Sequence, residues 1–246
     1  MKIFVSDSYE AMSKKAFAVL NERVKEQTTP LICTASGDSP AGLYRELVAS
    51  VQKGEISVTD WNFVSLDEWV RMNENDEGSC RYHLNQQLFE PLKIAHEHIC
   101  FFDGRSPEKQ KECDKVENFI AANGGIDVAV IGLGLNGHVG MNEPGTSPEL
   151  RSHIADIHPQ TQEVGQKYFK EKRSLTKGLT LGIASLLDAK NVVLLVSGKR
   201  KAEIVKQVIE AEISTEIPAT FLRDHPSFYI FLDADSALLI DKSKYE

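Results

Sequence analysis

Three short segments of this chain hold residue types able to move protons or hold an anion. Residues 132–145 read Gly-Leu-Gly-Leu-Asn-Gly-His-Val-Gly-Met-Asn-Glu-Pro-Gly. Five glycines in fourteen residues forbid a regular helix and let the backbone pass close to a ligand. They carry one imidazole, His138, and one carboxylate, Glu143. A second segment, Ser65-Leu66-Asp67-Glu68-Trp69, sets two acids directly after an apolar run. A strand end projects side chains into a ligand crevice, which would place a carboxylate for acid–base work, although both acids are equally compatible with solvated charges opening a turn. The third, Thr34-Ala35-Ser36-Gly37-Asp38-Ser39-Pro40, joins a strand pattern to a helix pattern. Ser39 suits an N-cap and Pro40 the first helical position, while Gly37 permits a tight turn. Backbone N–H groups there could converge on an anion, or the segment could be an ordinary capped turn.

Other chemistries fit less well. Gly132-Leu133-Gly134-Leu135-Asn136-Gly137 matches the bare G-x-G-x-x-G pattern. It runs on into loop, with no helical pattern before Pro148, so a dinucleotide cofactor is not expected. His138 and Glu143 lie on an irregular loop, and His83, His96, His98, His153, His158 and His225 lack ligand spacing. No metal is expected. His96 and His98 read as surface residues preceding a strand.

The elements that must position these segments follow a simple alternation. Residues 3–5, 31–34, 63–66, 128–133, 192–196 and 228–232 are apolar, largely β-branched runs of strand length. Helical spacing occupies 9–25, 40–53, 79–92, 107–122 and 199–211, with Ala16, Val19, Leu20 and Val24 forming one core stripe. Near-continuous hydrophobicity in the strands predicts a parallel sheet covered on both faces. The expected class is therefore α/β, a doubly wound, mostly parallel sheet flanked by helices, Rossmann-like in its crossovers. The 246 residues suffice for one domain spanning 1–246.

Composition narrows the partners. A net charge of −8 with no basic block argues against nucleic acid, and any anion must be held by local geometry. The opening Met1-Lys2-Ile3-Phe4-Val5 is too short an apolar run for a signal peptide, and no uncharged stretch approaches a membrane span. Cys33, Cys80, Cys100 and Cys113 form no C-x-x-C pair, so free thiols in a reducing cytoplasm are expected.

Taken together, the motifs resemble those of the glucosamine-6-phosphate deaminase/6-phosphogluconolactonase family. The likeness covers nearly the whole chain. It includes Ser36-Gly37-Asp38-Ser39-Pro40 with Gly42-Leu43-Tyr44, Leu66-Asp67-Glu68-Trp69-Val70, Gly125-Ile126-Asp127, Thr180-Leu181-Gly182, and Val196-Ser197-Gly198 with Lys201. The segment 137–145, Gly-His-x-Gly-x-Asn-Glu-Pro-Gly, is the most specific, because the lactonases lack its Asn-Glu-Pro. Trp69, Asn136 and Ser214-Thr215-Glu216-Ile217-Pro218-Ala219 lean toward the galactosamine-6-phosphate deaminase/isomerase branch.

The resemblance implies a cofactor-free, sugar-phosphate isomerase type of fold acting on an aminosugar phosphate. His138 would open the sugar ring, Asp67 would carry the C2 proton to C1, and Glu143 would hold and polarise His138. Asn136 stands where glucosamine-type enzymes have an aspartate, and an amide orients a ring without supplying charge. Ser36, Gly37, Asp38, Ser39 and Lys201 would hold the phosphate. The Asp38 carboxylate would repel that group unless turned outward, so only its backbone is carried over. Lys167 falls loosely where glucosamine-type enzymes place an arginine and reads as an exposed side chain. Galactosamine 6-phosphate is the expected substrate, with glucosamine 6-phosphate the alternative and lactone hydrolysis disfavoured. A regulatory sugar-phosphate sensor would carry an N-terminal DNA-binding module, for which a sheet starting at Lys2 or Ile3 leaves no room. Self-association is left open.

Overall fold

The apolar runs form a sheet because each strand can bury both of its faces. In the computed structural model, which describes residues 1–245, Val192, Leu194 and Val196 enter one hydrophobic core while Val193 and Leu195 enter the other. Leu31 and Cys33 divide from Ile32 in the same way. Strict alternation between two apolar layers is what makes the strands read as unbroken hydrophobic runs.

The strands are β1 (Lys2–Ser6), β2 (Leu31–Thr34), β3 (Asn62–Ser65), β4 (Asp67–Trp69), β5 (Ile99–Cys100), β6 (Val128–Gly132), β7 (His153–Asp156), β8 (Lys177–Thr180), β9 (Val192–Val196) and β10 (Phe228–Asp233). The α-helices are α1 (Tyr9–Val24), α2 (Asp38–Gln52), α3 (Cys80–Leu84), α4 (Glu90–Leu92), α5 (Lys109–Ala122), α6 (Pro159–Gly165), α7 (Ile183–Leu187) and α8 (Ala202–Glu210). Seven strands make one sheet in the order β1-β10-β9-β6-β2-β3-β5, and every pairing in it is parallel. Helices α1 and α2 cover one face, and α5, α7 and α8 the other. The doubly wound α/β expectation stands.

From β2 the chain steps outward through β3 to β5, then returns to lay β6 on the other side of β2 and proceeds to β9 and β10. Neighbours β2 and β6, in register as Ile32↔Val128 and Thr34↔Val130, are therefore the switch point. Loops leaving their carboxyl ends part in opposite directions and open a crevice. Asp127 pins the opposite end, its carboxylate accepting from the Leu31 N–H at 2.8 Å and from Lys190 Nζ at 2.7 Å.

A second, antiparallel sheet, β4-β8-β7, was not foreseen. Its strands have three or four residues, too few for a period to be read. The run expected as 63–66 accordingly ends at Ser65, and Asp67 opens a strand of the small sheet. Helix α2 also differs from expectation. It starts at Asp38, so Gly37, at φ 120°, is the N-cap in place of Ser39. Only glycine holds that backbone conformation without strain. The region 79–92 is helical but includes a wider π turn at Asn85–Phe89. The region 199–211 begins as a 3-10 turn, Lys199–Lys201, before α8.

Candidate active site

All three segments singled out by residue type meet at the switch point. A cleft of about 520 Å³ is lined by Ser36, Gly37, Asp38 and Ser39 after β2, Asp67 after β3, Asn136 and His138 after β6, and Lys201 after β9. Asp67 and His138 thus share one cavity.

One residue of the small sheet ties the two halves together. Asp67 pairs with Thr180 across β4 and β8, and the Leu181 N–H donates to Leu66 O at 2.8 Å. Thr180 Oγ1 also accepts from the Met141 N–H at 3.1 Å, within the glycine loop. The loop is fastened further by Asn142, fully buried, whose Nδ2 donates to the carbonyls of Val139 and Leu181 at 2.8 Å each. Asn142→Leu removes both side-chain bonds, leaving Val139 O only the N–H of residue 142 and Leu181 O only the Thr180 hydroxyl. It is expected to lower unfolding free energy by about 1–3 kcal/mol, at roughly 0.5–1.5 per bond lost. Urea unfolding checks this, and an unchanged midpoint refutes the clamp.

His138 is oriented by a short chain of polar groups. Asn136 Nδ2 donates to Glu143 Oε2 at 2.8 Å. Burial raises the Glu143 pKa, but hydrogen bonds from His138, Asn136 and Thr161 outweigh it and hold this carboxyl below its ordinary range. An ionised carboxylate only accepts, so the Asn136 amide must turn its Nδ2 toward Glu143 and its Oδ1 toward His138. That oxygen lies 2.6 Å from His138 Nδ1, which must then carry the proton. Thr161 Oγ1 lies 3.2 Å from the same nitrogen, and Glu143 Oε2 lies 3.5 Å from it. With Nδ1 committed, Nε2 is the nitrogen available for proton exchange. The ring lies against Gly134, where a Cβ would fall 2.2 Å from Cε1 and Nδ1, so no larger residue fits beneath it.

The two neighbouring acids part company. Burial pushes Asp67 up to about 6, while the Cys80 thiol and the His138 charge pull it back. Glu68 points away, fully buried, and accepts from the N–H groups of Trp69, Cys80 and Arg81 at 2.7, 3.1 and 2.9 Å. It caps the start of α3, and its burial pushes it up to about 8.

The end of the cleft expected to hold an anion is built from backbone and lysines. Among the described residues, the N–H groups of Ser36 and Gly37 donate to no protein acceptor, and they stand at the N-terminus of α2. Ser39 Oγ lies 3.2 Å from Ser197 Oγ. The Asp38 carboxylate does turn outward, 72% exposed and 2.5 Å from Lys167 Nζ. Lys167 is exposed as expected, yet it lines the cleft mouth. Lys201 is partly buried and donates to Leu133 O. Burial, then the charges of Lys167 and Arg200, push it down to about 8.

Several lining residues escaped sequence reasoning: Cys80, His83, Thr161, Tyr168, Ser197, Lys199 and Arg200. The triplet Lys199-Arg200-Lys201 was the one legible signal, three bases at a strand-to-helix junction. Elsewhere, His98 precedes β5 as expected and lies 2.9 Å from Asn62 Oδ1. All four cysteines are free and buried. Among the described residues, no three His, Cys, Asp or Glu side chains group as a metal site, and no helix is long and apolar enough to cross a membrane.

Comparison with known proteins finds relatives along nearly the whole chain. The model of the glucosamine-6-phosphate isomerases/6-phosphogluconolactonase family matches residues 6–230. A glucosamine-6-phosphate deaminase of Thermoanaerobacter pseudethanolicus is 34% identical over 98% of this chain and 95% of its own. One from Clostridium perfringens is 33% identical over 98% of this chain and 100% of its own. The solved structure of a monomeric glucosamine-6-phosphate deaminase superposes with a TM-score of 0.94 at 32% identity, covering 98% of this chain and 100% of that one. A 6-phosphogluconolactonase from Thermotoga maritima shares the fold, with a TM-score of 0.75 at 20% identity over 94% and 99% of the two chains.

Proposed function

Because the chain belongs to the glucosamine-6-phosphate isomerase/6-phosphogluconolactonase family, we propose that it deaminates and isomerises glucosamine 6-phosphate, yielding fructose 6-phosphate and ammonia. The observation that carries this reading is the shared cavity, with Asp67, His138 and the anion-holding turn on its walls.

Each group has a task its environment suits. The phosphate rests on the N–H groups at the start of α2, with Ser39 and the Lys201 ammonium as further donors. His138 Nε2 takes the anomeric hydroxyl proton and returns a proton to the ring oxygen, opening the ring to an aldehyde. Asn136, Thr161 and Glu143 keep the imidazole in the tautomer this requires. The carbonyl acidifies the C2 proton. Asp67 removes it, leaving an enolamine across C1 and C2, and delivers it to C1, so that the nitrogen-bearing carbon becomes an iminium. Water adds there and ammonia departs. A carboxyl near 6 is ionised at neutral pH yet still a competent base and acid.

The gluco epimer is preferred here to the galacto epimer expected above, a choice supported by relatives named for glucosamine. Two features behind the galacto reading have other duties here. Asn136 commits both ends of its amide to Glu143 and His138. Residues 214–219 buttress the glycine loop, Thr215 O accepting from the Gly145 N–H and the Ala219 N–H donating to Gly137 O. The deciding assay supplies both aminosugar 6-phosphates and follows ammonia. Release from the gluco epimer is expected, release from the galacto epimer alone would restore the other substrate, and release from neither would overturn the reaction.

A pH profile follows from the same groups. Asp67 acts as a base only when ionised, so kcat/KM should fall about tenfold per pH unit below its value of about 6. Lys201 holds phosphate only as a cation, so kcat/KM should decline again above about 8. Lys201→Met should erase the alkaline limb and raise KM about tenfold or more, the worth of a charge-assisted bond. An alkaline limb that persists in this variant would assign it elsewhere.

A further inference from the structure

A second groove, of about 620 Å³, shares no lining residue with the catalytic cleft. Its most unusual wall is Arg81. This side chain is only 7% exposed, and its guanidinium carbon sits 5.0 Å from the Phe89 ring centre and 5.1 Å from that of Phe101. Two aromatic faces hold the planar fork in place. Its Nε is buried with no hydrogen-bond partner. Among the described residues no carboxylate forms an ion pair with it, whereas Arg105 and Arg151 reach Asp76 and Asp188 at 2.6 and 2.5 Å. A largely buried, immobilised guanidinium that forms no ion pair within the chain is costly unless something accepts from its outer N–H groups.

The groove also presents Lys115, whose Nζ donates to Phe101 O at 2.8 Å and pairs with the Glu112 carboxylate, leaving its third N–H for a ligand. Glu74, Glu97 and Asp103 line it too and leave acceptors for hydroxyl or amino groups, so the oxyanion must sit at the Arg81 end. A volume of this size suits a small metabolite. We propose that the groove is a second ligand site, where a small metabolite places an oxyanion on the Arg81 fork with Lys115 alongside. The fork geometry selects a phosphate or a carboxylate, either of which accepts two parallel N–H bonds.

Calorimetric titration of the full chain with inorganic phosphate, and separately with malonate, tests this. At least one of the two probes should bind at the Arg81 groove in addition to any binding in the catalytic cleft, and the probe that does so identifies the oxyanion. Arg81→Met should remove that event. Arg81→Lys, which keeps the charge and loses the fork, should weaken it about tenfold or more. Lys115→Ala, an exposed change that spares the aromatic stack, should weaken it while leaving kcat and KM for glucosamine 6-phosphate unaltered. Lys201→Met should weaken only the catalytic-cleft event, which separates failure of this site from failure of the proposed reaction. Binding of either probe that is unaffected by both Arg81→Met and Lys115→Ala, or the absence of any event outside the cleft, would overturn the assignment.

Discussion

Asp67→Asn is expected to lower kcat about 10³-fold while KM for glucosamine 6-phosphate stays within a few-fold of the parent. The substitution preserves shape and removes the one group able to carry a proton from C2 to C1. General acid–base catalysis by a positioned side chain is worth about 10²–10⁴ in rate, and here the same carboxyl both takes and returns the proton. Binding should survive because the phosphate contacts lie on other loops, at Ser36–Ser39 and Lys201. A variant turning over within tenfold of the parent would remove Asp67 from the mechanism.

His138→Gln should produce a comparable loss, about 10²–10³ in kcat, for a different reason. The variant must wait for the ring to open unaided, after which Asp67 remains competent. The two variants are therefore separable with substrate deuterated at C2. Asp67→Asn should show a full isotope effect, because removal of that proton has become the slow step. In His138→Gln the effect should collapse toward unity, because the slow step precedes it. A full effect in the histidine variant would assign His138 to proton transfer at carbon.

Sequence reading recovered the sheet strands because each alternates between two buried layers and so appears as an apolar run of strand length. It drew attention to Asp67, His138 and the Ser36–Ser39 turn because unusual residue types follow strand ends, where an α/β sheet puts its ligands. It could not tell Asp67 from Glu68 in role. Adjacent residues on a strand point to opposite sides, and only the packing of α3 over Glu68 reveals which of them is a cap. The small sheet was illegible, since strands of three or four residues carry no period. Thr161, Tyr168 and His83 were missed because nothing in their local sequence distinguishes them. They reach the cleft through the course of the chain around 159–168 and along α3.

What the linear chain determined by itself was class and candidate chemistry: an α/β frame, with a histidine suited to moving protons, two serviceable carboxylates and a turn suited to an anion. These depend on residue type and near-neighbour spacing, which a sequence displays directly. Tertiary structure decided the rest. It joined Asp67 to the His138 loop through Thr180, chose the imidazole tautomer through Asn136 and Glu143, and set the Asp67 and Lys201 pKa values through burial. Each of these arises from contacts between residues distant in sequence, and from water excluded by packing.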